Sequence, residues 1–166
     1  MKTKLMLMLA LIIGASCFAS FEIPIQHNVY KISGIASKPN HINEDNVMFK
    51  RHGYVYNKGR THRIIPILLQ HNPDMSKHIG NVTKLYELSN GTLMFEAIIY
   101  GRYIADDIEK KIVTGVFRGI SIGIITLVQI DHTTYTEIVA SKIMEISLVT
   151  IPADKHARIL TMERIK

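Results

Sequence analysis

The chain has 166 residues, enough for one domain and too few for two of ordinary size. Its composition, 47% hydrophobic and 20% charged, supports a packed core and excludes wholesale disorder. A net charge of +6 points to acidic partners without choosing among them, and a single cysteine excludes an internal disulfide and a cysteine-rich zinc site.

Residues 1–19 form a leader of their own. Lys2 and Lys4 precede the apolar run Leu5–Ile13, and small residues lead to Ala19. This is the three-part layout of a secretory signal peptide, and the run is short for a spanning helix. An uncleaved anchor and a dispensable extension are the other readings. The leader holds the only cysteine, Cys17, and two of the six excess charges. Without it, the case for nucleic acid as partner weakens. Residues 20–29 are a short connecting segment.

Tyr30–Ala36 alternates apolar and polar residues and predicts a strand. Lys38–Asp45 is a turn-rich loop, Val47–Tyr56 is mixed, and Asn57–Arg60 is a turn. Ile64–Leu69 is an apolar strand whose Pro66 requires an edge or a bulge. Gly80–Leu88 and Thr92–Tyr100 predict a hairpin joined by Ser89-Asn90-Gly91, where Asn-Gly supplies the positive φ angles of a tight turn.

Ala105–Thr114 predicts the one clear helix. Ile104, Ile108 and Ile112 make one apolar stripe, acids fill the first turn, and Gly115 suits the left-handed stop. Phe117–Ile130 and Glu137–Thr150 return to strand, and the tail Ala153–Lys166 suggests a short helix. The expected fold is mainly β with helices (α+β): a six- to seven-stranded β-barrel or a sandwich with peripheral helices.

Three blocks could carry chemistry. In Leu68-Leu69-Gln70-His71-Asn72-Pro73, a histidine stands where a buried strand ends in a turn, so it could serve as a general base or simply as a surface residue. In Gly119-Ile120-Ser121-Ile122-Gly123, strand alternation puts the serine and both glycines on one face. That lets a substrate backbone approach the hydroxyl; the same glycines could equally bend a barrel strand. In Met144-Glu145-Ile146-Ser147-Leu148-Val149, a carboxylate sits among apolar strand residues, in line with Ser147. It is either exposed at an edge or buried beside a partner such as a histidine.

Together the blocks resemble the prohead protease family of tailed phages. Leu69-Gln70-His71-Asn72-Pro73, Ile79-Gly80-Asn81-Val82, Asn90-Gly91, Gly119–Gly123 and Glu145–Ala153 follow the family's order. The resemblance covers roughly residues 30–160 and leaves 161–166 as a tail. It implies a fold like the herpesvirus assembly proteases and a serine endopeptidase. Ser121 would be the nucleophile, His71 the general base and Glu145 the candidate third member. His132 and His156 are outside candidates, and Arg118 could help an oxyanion site.

The resemblance implies capsid and scaffold proteins as substrates, and the protease's own chain among them. It implies no cofactor, no metal, no specific nucleic-acid binding and no membrane contact beyond an uncleaved leader. A homo-oligomer stays open. Two departures stand out. Asn43–Lys50 keeps only a trace of the family's aspartate-rich segment. A signal-like leader suggests export, whereas the family works in the cytoplasm, inside the prohead. The rival readings are a non-catalytic barrel that binds peptide or anionic polymer, and an exported barrel. The histidines at 27, 41, 52, 62 and 78 show no ligand spacing, and the Asn81 and Asn90 glycosylation patterns are assigned no function.

Overall fold

The computed structural model describes residues 27–55 and 64–165. The leader 1–19, the Asn57–Arg60 turn and His62 lie outside them. The order is β1 (Val29–Ser37), β2 (Val47–Phe49), β3 (Tyr54–Val55), β4 (Pro66–Leu69), β5 (His78–Glu87), β6 (Leu93–Tyr100), α1 (Asp106–Val113), β7 (Gly119–Asp131), β8 (Thr136–Val149) and β9 (Arg158–Arg164).

Seven strands close into a mixed barrel in the order β8-β4-β5-β6-β1-β9-β7, with β7 returning to β8. Closure leaves the barrel without a free edge in the ladder. The one parallel contact within it is β4 on β8. Strands β2 and β3 lie outside the ring and pair in parallel with the earlier part of β8. Strand β8 therefore carries β2, β3 and β4 in succession along one edge and β7 along the other.

Alternation in the sequence becomes an inside and an outside. In β6, Leu93, Phe95, Ala97 and Ile99 are fully buried while the residues between them are not. Ile32, Ile67, Ile79, Ile120, Ile146 and Leu148 complete the barrel interior. Each buried side chain of this size contributes about 1.5–3 kcal/mol relative to exposure. Pro66 opens β4 where its missing N–H costs least, and the register with β5 shifts between Ile67 and Leu68.

Helix α1 packs through the predicted stripe: Ile104 and Ile112 are buried and Ile108 half-buried. Its other tie is polar. Glu109 accepts hydrogen bonds from the Tyr30 hydroxyl at 2.6 Å and the Asn28 amide at 2.7 Å, linking the helix to the start of β1.

Two local expectations are corrected. The tail is not helical: β9 pairs antiparallel with β1, from Tyr30↔Arg164 to Ile35↔Arg158. Its partner is more than 120 residues away in sequence, so local pattern could not reveal it. The β5–β6 loop falls where expected, but Asn90 does not share the positive φ. Only Gly91 takes positive φ, at +84°, and Gly91 N–H donates to the Leu88 carbonyl. The loop is Ser89-Asn90-Gly91, with the Asn90 side chain accepting from Thr92 N–H at 2.9 Å.

Strand β7 changes character midway. Its first half lines the barrel, whereas Ile125, Leu127, Val128 and Ile130 are exposed. Strands β7 and β8 continue there as a long hairpin beyond the ring.

Candidate active site

The three blocks meet on one face of the β7–β8 ladder and the turn after β4. The register sets Gly119 opposite Val149, Ser121 opposite Ser147, and Gly123 opposite Glu145. Facing residues in an antiparallel pair hold their Cβ atoms about 4.5–5.5 Å apart. Ser121, Ser147 and Glu145 thus share a face, and Gly123 leaves room on it. A Cβ at position 123 would overlap Glu145 Oε1, so only glycine lets that carboxylate lie across β7.

His71 reaches the same face from β4. Because β4 runs parallel to β8, with Leu68 opposite Ser147 and Leu69 opposite Leu148, the chain leaves the sheet beside Leu148 and the turn folds His71 back toward Ser147 and Glu145. Gln70 and His71 both adopt left-handed φ, 55° and 56°, and Asn72 N–H closes the turn onto the Leu69 carbonyl at 3.1 Å. Neither residue is a glycine, so the turn costs about 1–2 kcal/mol per residue. It is held by Gln70 N–H on the Leu148 carbonyl at 2.9 Å and His71 N–H on Ser147 Oγ at 3.1 Å. The Gln70 amide adds a bond to Thr150 Oγ1 at 3.2 Å.

The result is a short relay of contacts. His71 Nδ1 lies 2.6 Å from Glu145 Oε1, and Ser147 Oγ donates to Glu145 Oε2 at 2.7 Å. Ser147 is fully buried, the Glu145 side chain is 13% exposed, and the His71 ring is 44% exposed. The acid is therefore fixed in the wall while the imidazole keeps an open edge. A hydrogen bond at Nδ1 selects the tautomer and leaves Nε2 as the nitrogen that can take a proton.

Ser121, half-buried, lines a cavity of about 390 Å³ with Ser37, Ile120, Ile122, Thr126 and Asp154. A second cavity, about 520 Å³, lies beside the His71 turn. Leu69, Ile108 and Phe117 give it an apolar lining, and Gln70, Lys77 and Lys111 line it too.

The other sequence candidates lie elsewhere. His132 sits at the tip of the β7–β8 hairpin, stacked on Tyr135 and 3.5 Å from Glu137. Ser121 is ten or more positions away along the strands, roughly 30 Å of extended chain. His156 meets His41 and lies in the Asp154 turn rather than beside His71. Arg118 is exposed, with its guanidinium folded over Gly115 at the end of α1. Sequence reasoning aligned Ser147 with Glu145 and gave it no role; it is the residue that ties acid and turn together. It also left His41 unassigned, and His41 pairs with Asp154 at 3.1 Å.

Among the described residues no helix is long and apolar enough to cross a membrane. Residues 21–166 match the family model of the caudovirus prohead serine proteases. Proteins of Lactococcus phages p2 and SK1, each named a probable capsid maturation protease, are 28% identical over 96 residues, 57% of this chain and 53% of theirs. The chain spans about half the length of these curated relatives. The match covers most of the chain, and the chain belongs to the caudovirus prohead serine protease family.

Proposed function

We propose that the protein is a serine endopeptidase of prohead maturation, with Ser121 as nucleophile, His71 as general base and Glu145 as the acid that orients it. The observation that carries this reading is the 2.6 Å contact of His71 Nδ1 with a carboxylate anchored by Ser147, on the face that also bears Ser121. His71 Nε2 takes the Ser121 proton as Oγ bonds to the peptide carbonyl carbon. The tetrahedral adduct collapses, the C–N bond breaks, and the amine leaves with the proton from the imidazolium. Water then attacks the acyl-enzyme through the same base and restores Ser121. Glu145 favours the imidazolium that forms in both steps.

Family membership supports capsid and scaffold proteins as substrates, the protease's own chain among them, and the prohead interior as the place of action. The cavity lined by Ser121 and the one beside the His71 turn could receive substrate side chains. Co-expression of the Ser121→Ala variant with the capsid protein encoded beside it should leave that protein at full length. Unchanged processing would overturn the assignment. A serine-reactive phosphonate should label the wild-type chain and not the variant. An unlabelled wild type would instead favour the non-catalytic barrel.

A further inference from the structure

His41, in the loop after β1, ends beside two groups from the β8–β9 turn. Its Nε2 lies 3.1 Å from Asp154 Oδ1, and its ring meets that of His156 edge to face with centroids 5.0 Å apart. One donor atom from each of the three residues lies within 4.8 Å of the others. Asp154 is buried and already oriented: Lys38 N–H donates to Oδ2 at 2.7 Å and His156 N–H to Oδ1 at 2.8 Å. His41 Nδ1 is buried with no hydrogen-bond partner among the described residues.

We propose that His41, Asp154 and His156 form a binding site for a divalent transition-metal ion, with Zn²⁺ the best match. Two imidazoles and a carboxylate are a borderline-soft set that suits zinc and disfavours calcium or magnesium, which take oxygen ligands. The spacing agrees. Zn–N and Zn–O bonds near 2.0–2.1 Å at tetrahedral angles place two imidazole centroids about 5 Å apart and a nitrogen about 3.3 Å from the carboxylate oxygen. The His41–Asp154 pair at 3.1 Å needs only a slight opening, while the remaining donor atoms, within 4.8 Å of one another, must close onto the ion by side-chain rotation.

Three protein ligands leave a fourth position for water. With the metal on Nε2, the His41 proton moves to Nδ1. That N–H is then buried without an acceptor, so affinity falls in the micromolar rather than the nanomolar range. The site would brace one wall of the Ser121 cavity. Asp154 and Ala153 line that cavity, and Ala157 accepts from Ile120 N–H at 3.2 Å. Metal ligation would join this turn to the loop after β1. The site stands independently of the proteolytic reading.

The test is titration of the full chain with Co²⁺ and Zn²⁺ chloride. Co²⁺ should develop the visible absorption of a tetrahedral site, and Zn²⁺ should displace it and raise Tm. His41→Ala and His156→Ala should each weaken binding at least tenfold and abolish the Tm rise. Circular dichroism would confirm that both variants keep their fold, and His156→Ala, which removes a half-exposed ring, serves if His41→Ala does not fold. His52→Ala, whose ring pairs with Glu87 elsewhere, should bind as wild type. No tetrahedral Co²⁺ spectrum, or binding unchanged in either folded variant, would overturn the proposal.

Discussion

Two histidine–carboxylate pairs, His71–Glu145 and His41–Asp154, differ in what holds the acid and what remains of the ring. Glu145 is anchored by a side chain, Ser147, and its histidine is 44% exposed. Asp154 is anchored by two backbone N–H groups, and its histidine is 23% exposed with one nitrogen buried. The first arrangement leaves a nitrogen free to exchange protons with a substrate-facing group. The second holds donor atoms still and closes them off, which suits ligation. Under the two proposals, one pair of residue types would serve two chemistries, and the free edge of the imidazole would decide between them.

The sharpest way to break this contrast is to remove each ring. His71→Ala should lower kcat/KM about 10²- to 10⁴-fold, the usual worth of a general base. His41→Ala should leave kcat within a few-fold. Peptide-cleavage kinetics on both folded variants would check it, and equal losses would erase the distinction.

A smaller effect follows from Ser147→Ala. The change strips a buried carboxylate of a donor and the His71 N–H of its acceptor. It should cost about 1–3 kcal/mol in urea unfolding. It should also lower kcat more than it raises KM, because the His71 turn and Glu145 lose their common anchor. A pure stability loss with unchanged kcat would make Ser147 structural only.

Asp154→Asn tests the other acid. Its oxygens accept from two backbone amides on different sides, so an NH₂ group must face one of them. The expected cost is about 1–2 kcal/mol by urea unfolding, with kcat little changed.

The smallest effect lies away from both pairs, at Glu109 on α1. The Tyr30 hydroxyl, aided by the Asn28 amide and opposed by burial, holds Glu109 below its ordinary value of 4.5. Burial, and then the bond to Glu109, pushes Tyr30 up to about 12. For a carboxyl with a depressed folded pKa, the unfolded chain binds more protons as pH falls through 4.5. The stabilisation is therefore full above that value and is lost as pH drops through the folded pKa. Urea midpoints of wild type and Glu109→Gln should differ near neutrality and converge in acid. A pH-independent gap would assign the cluster to packing alone.

Much of this was legible in one dimension. Strands β1, β5, β6, β7 and β8 follow from period-two alternation, and α1 from its isoleucine stripe, acidic first turn and terminal glycine. His71, Ser121 and Glu145 stand out because each breaks an apolar run near a turn or a glycine. The 3₁₀ turn at Met75–Lys77 gave no such pattern. The tail is strand rather than helix because Arg158–Arg164 takes its ladder from β1 and β7, partners distant in sequence that no local pattern reveals.

The amino-acid sequence by itself determined the strand-rich class, the one helix and the three chemical blocks, because alternation and turn chemistry act over a few residues. Tertiary structure alone decided closure of the ring, the Ser121↔Ser147 register and the meeting of His71 with Glu145. It alone joined His41 to Asp154 across 113 residues. Such contacts depend on which strands pair and in what register. That choice is made by burial of the whole barrel interior, which no short window of sequence contains.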